Sequence, residues 1–472
     1  MPDQTAFPKP DPRSDDIPDG LPLPRRRLAT AAVAMAITMS IIDGTIAGAA
    51  LPTIARSFGT SPANSIWATN AYQLAVTVAL LPLAALGEII GYRRIYLGGL
   101  IVFTLASLAC ALSGSVEGGG FGGLVAARAV QGLGAAGLMS VNTAIIRFIQ
   151  PRAKLGRALG FNAMVVSTAA AAGPTAAGLI LGVADWPWIF AVNLPIGILT
   201  LAIGWRSLPE SPRGRHRYDV LSAVLSAATF GLLILGLDSL AHGSSAWLAL
   251  PQVIGGLLAG IWLVRRQAGV PRPLLPVDLL AIPVFALSIG TSLCSFMAQM
   301  LAFASLPFLL QTGFGFSVFV AGLLTTPWFI ATAVSAPLSG RLMERVPTGL
   351  LGGVGLIMLA AGLAAMAVLP AAPHPLDIVW RMALCGFGFG LFQTPNNRTL
   401  VAAAPPERAG GASGMLSTAR LVGQTAGAAM VGLVLGWMPG MPIGGPKTAL
   451  AIGCGLAALG ACVSLLRLRA RG

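Results

Sequence analysis

Long apolar stretches, each about as long as a membrane-spanning helix, recur along the whole chain. A helix needs about 20 mainly apolar residues to cross a hydrocarbon core of about 30 Å, whereas strands of a membrane barrel are about ten residues long and alternate in polarity. Of the 472 residues, 55% are hydrophobic and only 10% are charged. The sequence therefore predicts an all-α membrane protein with fourteen transmembrane helices. The predicted helix cores are residues 28–51, 64–86, 95–113, 122–146, 158–183, 188–205, 219–241, 247–264, 283–310, 317–338, 349–369, 378–396, 411–436 and 448–466.

The net charge of +14 is concentrated in alternate loops. Under the fourteen-helix prediction the strongly basic segments all fall on one side, from Arg25–Arg27 at the start to Arg467, Arg469 and Arg471 at the end. Basic loops tend to remain in the cytoplasm, so we expect both termini there and do not interpret the charge as a nucleic-acid site. Residues 1–27 are rich in Pro and Asp and lack a small-residue cleavage site, which predicts a disordered cytoplasmic tail rather than a signal peptide.

No cofactor or metal is predicted. The five cysteines lie in apolar windows without C-x-x-C spacing, and the three histidines fall in different loops. These patterns favour small buried thiols over a disulfide or a metal site. The chain also has no phosphate-binding G-x-x-x-x-G-K-[ST] sequence, which argues against ATP-driven transport by this chain alone. An ion gradient is therefore the expected energy source, and an enzyme is not expected.

Asp43 is a carboxylate near the middle of the first apolar window. An ionised group at that depth costs about 2.5–3.5 kcal/mol or more, so such residues usually have a function. Asp43 is a candidate proton and cation site, because burial favours the protonated acid and an arriving positive charge favours its release. The alternative is a structural carboxylate that pairs permanently with Arg128 or accepts hydrogen bonds from Ser40 or Thr45.

Arg128 lies several residues inside the fourth window, too deep to reach the membrane surface easily. We expect it to face the interior of the bundle and to bias Asp43 towards its charged form. The alternative is a helix-locking role in which the guanidinium bonds backbone carbonyls.

Two loops resemble each other, which indicates an internal repeat. Segment 84–94, after the second window, and segment 340–347, after the tenth, each combine an acidic residue with arginines. These charges are candidate gating ion pairs; solvated loop charges are the alternative, since exposed pairs contribute only about 0–1 kcal/mol. The residues are Glu88, Arg93 and Arg94 in the first loop and Glu344 and Arg345 in the second.

The repeat divides the chain into two halves of six helices each. The predicted domains are a disordered tail (1–27), an N-terminal half (28–208), two inserted helices with basic loops (209–275), a C-terminal half (276–466) and a basic cytoplasmic tail (467–472).

An ordered set of motifs resembles the major facilitator superfamily, and within it the fourteen-helix drug/proton antiporter branch. Segments 186–197 and 410–424 are similar to that branch, and the second resembles exporters of methyl viologen and quaternary ammonium compounds. Ala84, Glu88 and Ile89 depart from the usual loop motif, which weakens its gating network. The resemblance implies the major facilitator fold in a bacterial inner membrane. The motifs are Asp43-Gly44-Thr45-Ile46 in the first helix, Arg128 with Gln131-Gly132-Leu133-Gly134 in the fourth, and Gly173-Pro174 with Gly178 in the fifth.

Gly173 and Pro174 form the candidate antiporter kink of the fifth helix. Proline removes one backbone hydrogen bond, and the small residues around it let a neighbouring helix approach closely. Such a seam suits rocking between the halves, and tight packing without any antiport role is the alternative.

Several side chains in the windows are candidates for substrate contact. Aromatic rings and methionines suit flat lipophilic cations, through cation–π contact and deformable packing. In the ninth window four such candidates recur at spacing i, i+3, i+4 and i+7, which a helix places on one face: Phe296, Gln299, Met300 and Phe303. Ordinary packing, lipid contact and interhelical hydrogen bonding are the alternatives. The candidates are Tyr72, Asn193, Phe296, Gln299, Met300, Phe303, Gln393, Asn396 and Arg420.

The sequence as a whole predicts a secondary transporter that exports lipophilic cations across the inner membrane in exchange for protons. Asp43 is the predicted proton and cation site, and Arg128 its modulator. The expected partners of this monomer are small molecules, protons and the lipid bilayer. The alternatives are proton-coupled export of an endogenous metabolite or neutral antibiotic, and a transporter-like sensor or scaffold without flux.

Overall fold

The computed structural model describes residues 20–114, 119–211, 218–241, 246–267, 277–404 and 408–468. Fourteen long helices run through these residues, in the order and spacing of the apolar windows. A π-helical turn, Phe308–Gly313, continues the ninth helix, and short helices lie at Pro62–Ser65 and Trp188–Ala191. The long helices are α1 (Leu23–Phe58), α2 (Trp67–Ile90), α3 (Tyr92–Leu112), α4 (Gly120–Ile149), α5 (Leu155–Val183), α6 (Asn193–Ser207), α7 (Val220–Ala241), α8 (Ala246–Gln267), α9 (Pro283–Pro307), α10 (Val318–Leu342), α11 (Thr348–Ala367), α12 (Pro375–Ala403), α13 (Ala409–Trp437) and α14 (Gly444–Leu466).

Among the described residues, twelve helices are long and apolar enough to cross a membrane. They correspond to α1–α6 and α9–α14, so the prediction of fourteen spans is not supported. In α7 the described apolar stretch is Val220–Gly236. This stretch is shorter than a membrane span, which requires about 20 residues. α8 carries Arg265 and Arg266 in its last turn and is not among the twelve.

The predicted boundaries of both tails are partly wrong. α1 begins at Leu23, so Arg25–Arg27 lie in a helix rather than in a disordered tail. The Arg25 side chain donates to the carbonyl of Ser207 at 3.1 Å, which ties the start of α1 to the end of α6. Arg467, assigned to the C-terminal tail, is only 2% exposed. Residues 1–19 and 469–472 lie outside the described residues.

The first six long helices pack mainly among themselves, and so do the last six. The main contacts between these two groups are those of α2 with α13 and of α5 with α10, while α1 also touches α9. In both main contacts the second helix of one group meets the fifth helix of the other. α7 and α8 pack on each other, and α7 also lies against α2 and α13.

A hydrophobic cluster joins the two groups at the end of the bundle where α1 finishes. It includes Ile54 of α1, Phe308 at the end of α9 and Val434 of α13, all of them buried. The Gln311 side chain in the π-helical turn also donates to the carbonyl of Ala49, at 2.9 Å. The groups are therefore in direct contact on this side of the bundle.

α5 and α10 approach each other closely through small residues. A Cβ on Gly178 would collide with the backbone of Phe319, and a Cβ on Gly322 would collide with the carbonyl of Pro174. α5 continues through Pro174 without a break. The small-residue segment that sequence singled out thus lies at a contact between the two helix groups.

Candidate functional site

A cavity of about 280 Å³ lies between the two helix groups. Its wall is built by α1, α2, α4 and α5 from the first group and by α9, α10, α12 and α13 from the second. Both groups therefore contribute to one site in the middle of the bundle.

Most of the candidate substrate-contact residues lie on this wall. On α9, the residues at spacing i, i+3, i+4 and i+7 share one helix face and all line the cavity: Phe296, Gln299, Met300 and Phe303. The predicted residues found on the wall are Tyr72, Phe296, Gln299, Met300, Phe303, Gln393 and Arg420.

Aromatic rings form one side of the cavity. Phe303 and Phe329 are stacked, with ring centroids 5.2 Å apart and an angle of 16° between the rings. Trp328 lies 4.9 Å from Phe303 and 6.4 Å from Phe389, centroid to centroid. The result is a continuous apolar surface on α9, α10 and α12 that suits a flat ligand.

Asp43 and Arg128 form a fully buried ion pair beside the cavity. The Asp43 Oδ2 to Arg128 Nη1 distance is 2.5 Å, and both side chains have 0% exposure. Asp43 Oδ1 also accepts hydrogen bonds from Gln131 Nε2 at 2.9 Å and from Asn193 Nδ2 at 2.7 Å. Three donors from α4 and α6 thus surround the carboxylate of α1.

Arg128 has further contacts that fix its plane. Its Nε donates to the carbonyl of Ala68 at 2.8 Å, and its guanidinium carbon lies 4.4 Å from the ring centroid of Tyr72 and 5.3 Å from that of Phe190. Within the described residues, Nη2 has no hydrogen-bond partner although it is buried. Arg128 therefore forms both the ion pair and the backbone contact that were considered as alternatives.

Asp43 itself does not line the cavity. Ser40, Gly44 and Thr45 of α1 lie on the cavity wall, whereas Asp43 is buried against side chains of α4 and α6. Tyr72 connects the two sides, since it lines the cavity, lies over Arg128 and shares a hydrogen bond of 3.1 Å with the Ser40 hydroxyl. The carboxylate thus lies behind the cavity wall rather than on it.

Two of the predicted lining residues lie elsewhere. Asn193 is 3% exposed and binds Asp43, and Asn396 is 1% exposed and donates to Ser292 Oγ at 2.7 Å. Asn396 Oδ1 accepts from the Nη1 of Arg467, the residue that was assigned to the tail, at 2.8 Å. Both amides bond buried polar neighbours and, contrary to expectation, neither lines this cavity.

The loop charges do not form the predicted gating pairs in this conformation. Arg93 pairs with Glu210, at 3.4 Å, rather than with Glu88. Arg94 is exposed. Glu344 and Arg345 are also exposed, and they do not form an ion pair with each other in the described structure. Their side chains are solvated at a helix end, where an ion pair has little to stabilise it.

Sequence reasoning missed part of the wall. Trp328, Phe329 and Phe389 complete the aromatic surface, and Gln424 lies beside Arg420. Gln424 follows Arg420 at i+4, so helical spacing from the arginine would have found it. The three aromatic residues carry no comparable signal, because apolar side chains are common everywhere in these helices.

A bundle of membrane-length helices around a central cavity, with a buried ion pair beside that cavity, defines a membrane transporter rather than an enzyme. The family model described as Major Facilitator Superfamily matches residues 33–428 of the chain. The protein belongs to this superfamily.

Its relatives include bacterial transporters. The chain is 52% identical over 452 residues to the uncharacterized transporter YebQ of Escherichia coli (strain K12), covering 95% of this chain and 97% of that protein. It is 32% identical over 416 residues to the multidrug resistance protein Stp of Mycobacterium tuberculosis (strain CDC 1551 / Oshkosh), covering 86% and 75%. The narrower resemblance to exporters of methyl viologen and quaternary ammonium compounds stays a prediction.

The fold is also that of solved transporters. A bacterial homolog of the human lysosomal transporter Spinster, in an inward-facing and unoccupied conformation, superposes with a TM-score of 0.67 at 16% identity, covering 95% of this chain and 98% of that one. At this identity the likeness concerns the fold alone.

Proposed function

We propose that this chain is a proton-coupled exporter of amphipathic small molecules, with Asp43 as the proton site. The observation that carries the proposal is the unexposed carboxylate, held by three donors directly behind the wall of a cavity between two helix groups. A buried ion pair is weak evidence of stabilisation, because the desolvation of both ions offsets their attraction. The name of the Mycobacterium tuberculosis relative, a multidrug resistance protein, supports efflux of varied compounds.

Protonation of Asp43 is the proposed coupling step. A neutral acid no longer compensates Arg128, whose Nη2 already lacks a partner among the described residues. Loss of this attraction favours a shift of the guanidinium. Because the ring of Tyr72 lies over the guanidinium and also lines the cavity, such a shift would alter the cavity wall. We infer that proton binding favours one packing of α1 against α4, and that substrate binding favours the other.

Alternating access through two six-helix halves fits the contacts between the groups. Helices α2 and α13 meet through a hydrogen bond of 3.1 Å between Thr77 and Thr425, and α5 and α10 meet through their glycines. Close backbone contacts of this kind let two rigid bodies rock without interdigitated side chains between them. The halves in this proposal are α1–α6 and α9–α14.

We also propose that α7 and α8 lie in the membrane as an inserted pair, as in the fourteen-helix branch. Large apolar side chains on α8 are exposed, among them Trp247 at 88%, Leu258 at 61% and Trp262 at 56%. Exposed apolar surface of this extent is costly in water and is covered in a bilayer. With an even number of crossings, both termini lie on the same side, which the basic loops assign to the cytoplasm.

Proton-coupled flux can be measured with purified protein in liposomes that contain a pH-sensitive dye. The probes are ethidium, 2-naphthoate and 2-naphthamide, which are a cation, an anion and a neutral compound. We expect at least one probe to accelerate proton movement down an imposed pH gradient, and we expect Asp43→Asn to abolish that acceleration.

Asp278→Asn is the matched control, because Asp278 pairs with Arg408 at an exposed site and its side chain is 57% exposed. This variant should transport as the wild type does. Wild-type coupling in Asp43→Asn would refute the assignment of the proton site, and no acceleration by any of the three probes would count against an exporter and in favour of a sensor or scaffold.

A further inference from the structure

The formal charge on the cavity wall is positive. Of the described residues that line the cavity, Arg420 alone carries a formal charge. Asp43 and Arg128 lie behind the wall, where they neutralise each other. A ligand in the cavity therefore faces one uncompensated cation.

Arg420 has no partner of its own in the part of the chain that the structure describes. Its Nε is buried, and no acceptor or carboxylate among the described residues bonds it. Guanidinium groups stay charged under all physiological conditions, so Arg420 cannot lower the cost of burial by losing its proton. The half-buried Arg420 therefore presents a permanently charged guanidinium to the cavity, and an anionic group there would pair with it.

The position of Arg420 is fixed by the contacts of α13 on either side. Gly423 lies against α9, where a Cβ would come within 2.9 Å of the Leu293 carbonyl oxygen. Thr425 is hydrogen-bonded to Thr77 of α2. With these two faces occupied, Arg420 and Gln424 face the cavity between them.

A second donor on the cavity wall also has no acceptor among the described residues. Trp328 is 1% exposed, and no acceptor among the described residues bonds its Nε1. Its ring belongs to the apolar surface formed with Phe303, Phe329 and Phe389. The cavity thus offers unpaired donors together with an extended aromatic wall.

We propose that the cavity binds amphipathic organic anions, with the acidic group on Arg420 and a flat apolar body against the aromatic wall of α9, α10 and α12. This inference rests on the proposed function, since it takes the cavity to be the exporter's substrate site. A carboxylate or sulfonate matches the planar fork of a guanidinium, and the low dielectric of a helix bundle strengthens the attraction. An organic cation in the same place would be repelled by Arg420, although the aromatic rings alone would favour it.

Equilibrium binding to protein in lipid nanodiscs tests this directly, with empty nanodiscs as the blank. The probes share one ring system and differ in charge: 2-naphthoate, 2-naphthamide and (2-naphthylmethyl)trimethylammonium. We expect the wild type to bind naphthoate at least ten times more tightly than the ammonium compound. Arg420→Gln should weaken naphthoate binding at least tenfold and naphthamide binding less than threefold, and Arg420→Lys should fall between.

Arg56→Gln is the control, because Arg56 is an exposed arginine at the end of α1 and should change none of these affinities. The proposal is overturned if the wild type prefers the ammonium compound, or if Arg420→Gln weakens naphthoate and naphthamide equally. If Arg420→Gln does not give monodisperse protein, the proposal is tested by the order of the wild-type affinities and by the affinities of the Arg420→Lys variant.

The charge balance of transport provides an independent check. One anion that leaves for each entering proton moves two charges across the membrane, whereas one monovalent cation for each proton moves none. In liposomes, a potassium diffusion potential set with valinomycin should therefore change naphthoate flux strongly. Binding needs no gradient, so the two proposals can fail separately. Anion-selective binding without proton coupling would refute the proposed function and leave the binding site intact. Proton-coupled flux without anion-selective binding would refute the binding site alone.

Discussion

Loss of the Asp43 charge should destabilise the protein by about 3–5 kcal/mol, the usual cost of leaving one member of a buried pair uncompensated. Both side chains have 0% exposure and the closest atoms are 2.5 Å apart. Two unit charges about 4 Å apart interact by about 4 kcal/mol at an effective dielectric constant of about 20. Asp43→Asn removes this attraction but retains the shape of the side chain.

The hydrogen bonds add to the cost. Asp43 accepts from Arg128 on one oxygen and from Gln131 and Asn193 on the other. Asparagine has one oxygen and one NH₂ group. Its NH₂ group must therefore face either Arg128 or the amides of Gln131 and Asn193, which are themselves donors. The double variant Asp43→Asn/Arg128→Gln removes both charges and allows neutral amide hydrogen bonds, so its cost should be well below the sum of the single variants.

The measurement is a double-mutant cycle, with unfolding by sodium dodecyl sulfate in mixed micelles followed by tryptophan fluorescence at pH 7. The control cycle is Asp278→Asn with Arg408→Gln, an exposed pair that should contribute about 0–1 kcal/mol. If the costs at Asp43 and Arg128 add to within about 0.5 kcal/mol, the pair is not coupled and the reasoning fails.

Two further predictions concern other parts of the fold. Gly178→Ala should lower the free energy of unfolding by about 1–3 kcal/mol and slow transport, because the added Cβ would collide with the backbone of Phe319. Gly182→Ala is the control, since a Cβ there meets open space and should be tolerated. Equal effects of the two substitutions on Tm and flux would contradict this. Asp219 caps α7, and its pKa is lowered by hydrogen bonds from the Ser222 hydroxyl and amide and by Arg266. Asp219→Ala should therefore cost about 0.5–2 kcal/mol at pH 7, and the Tm difference should shrink as the pH falls below about 3.9, through the lowered pKa; a difference that stays constant down to pH 2 would refute the capping role.

Helical spacing identified a set of residues on α9 that share one face and line the cavity. The stripe on α9 was recognisable because Phe296, Gln299 and Met300 recur at i, i+3 and i+4, and a helix places such residues on one face. Arg420 was recognisable because an arginine inside an apolar window is costly. Those patterns depend on local sequence alone.

The two asparagines show where that reasoning stops. Asn193 and Asn396 carry the same signal as a substrate ligand, a polar side chain inside an apolar window, yet they bond Asp43 and Arg467. Whether a buried amide faces a cavity or a neighbouring helix depends on the rotation of that helix in the bundle. Sequence spacing within one helix does not contain that information.

By itself, the sequence determined that the chain forms long apolar helices and that Asp43 and Arg128 are buried charges, because hydropathy and depth are properties of each segment. The tertiary structure decided what those charges face. The packing of α1 against α4 and α6 turns Asp43 away from the cavity and surrounds it with three donors. The packing of α13 between α2 and α9 leaves Arg420 on the cavity wall, where no acid of the described residues pairs with it. The sign of the charge that a ligand meets is set by contacts between helices distant in the chain, which no local pattern encodes.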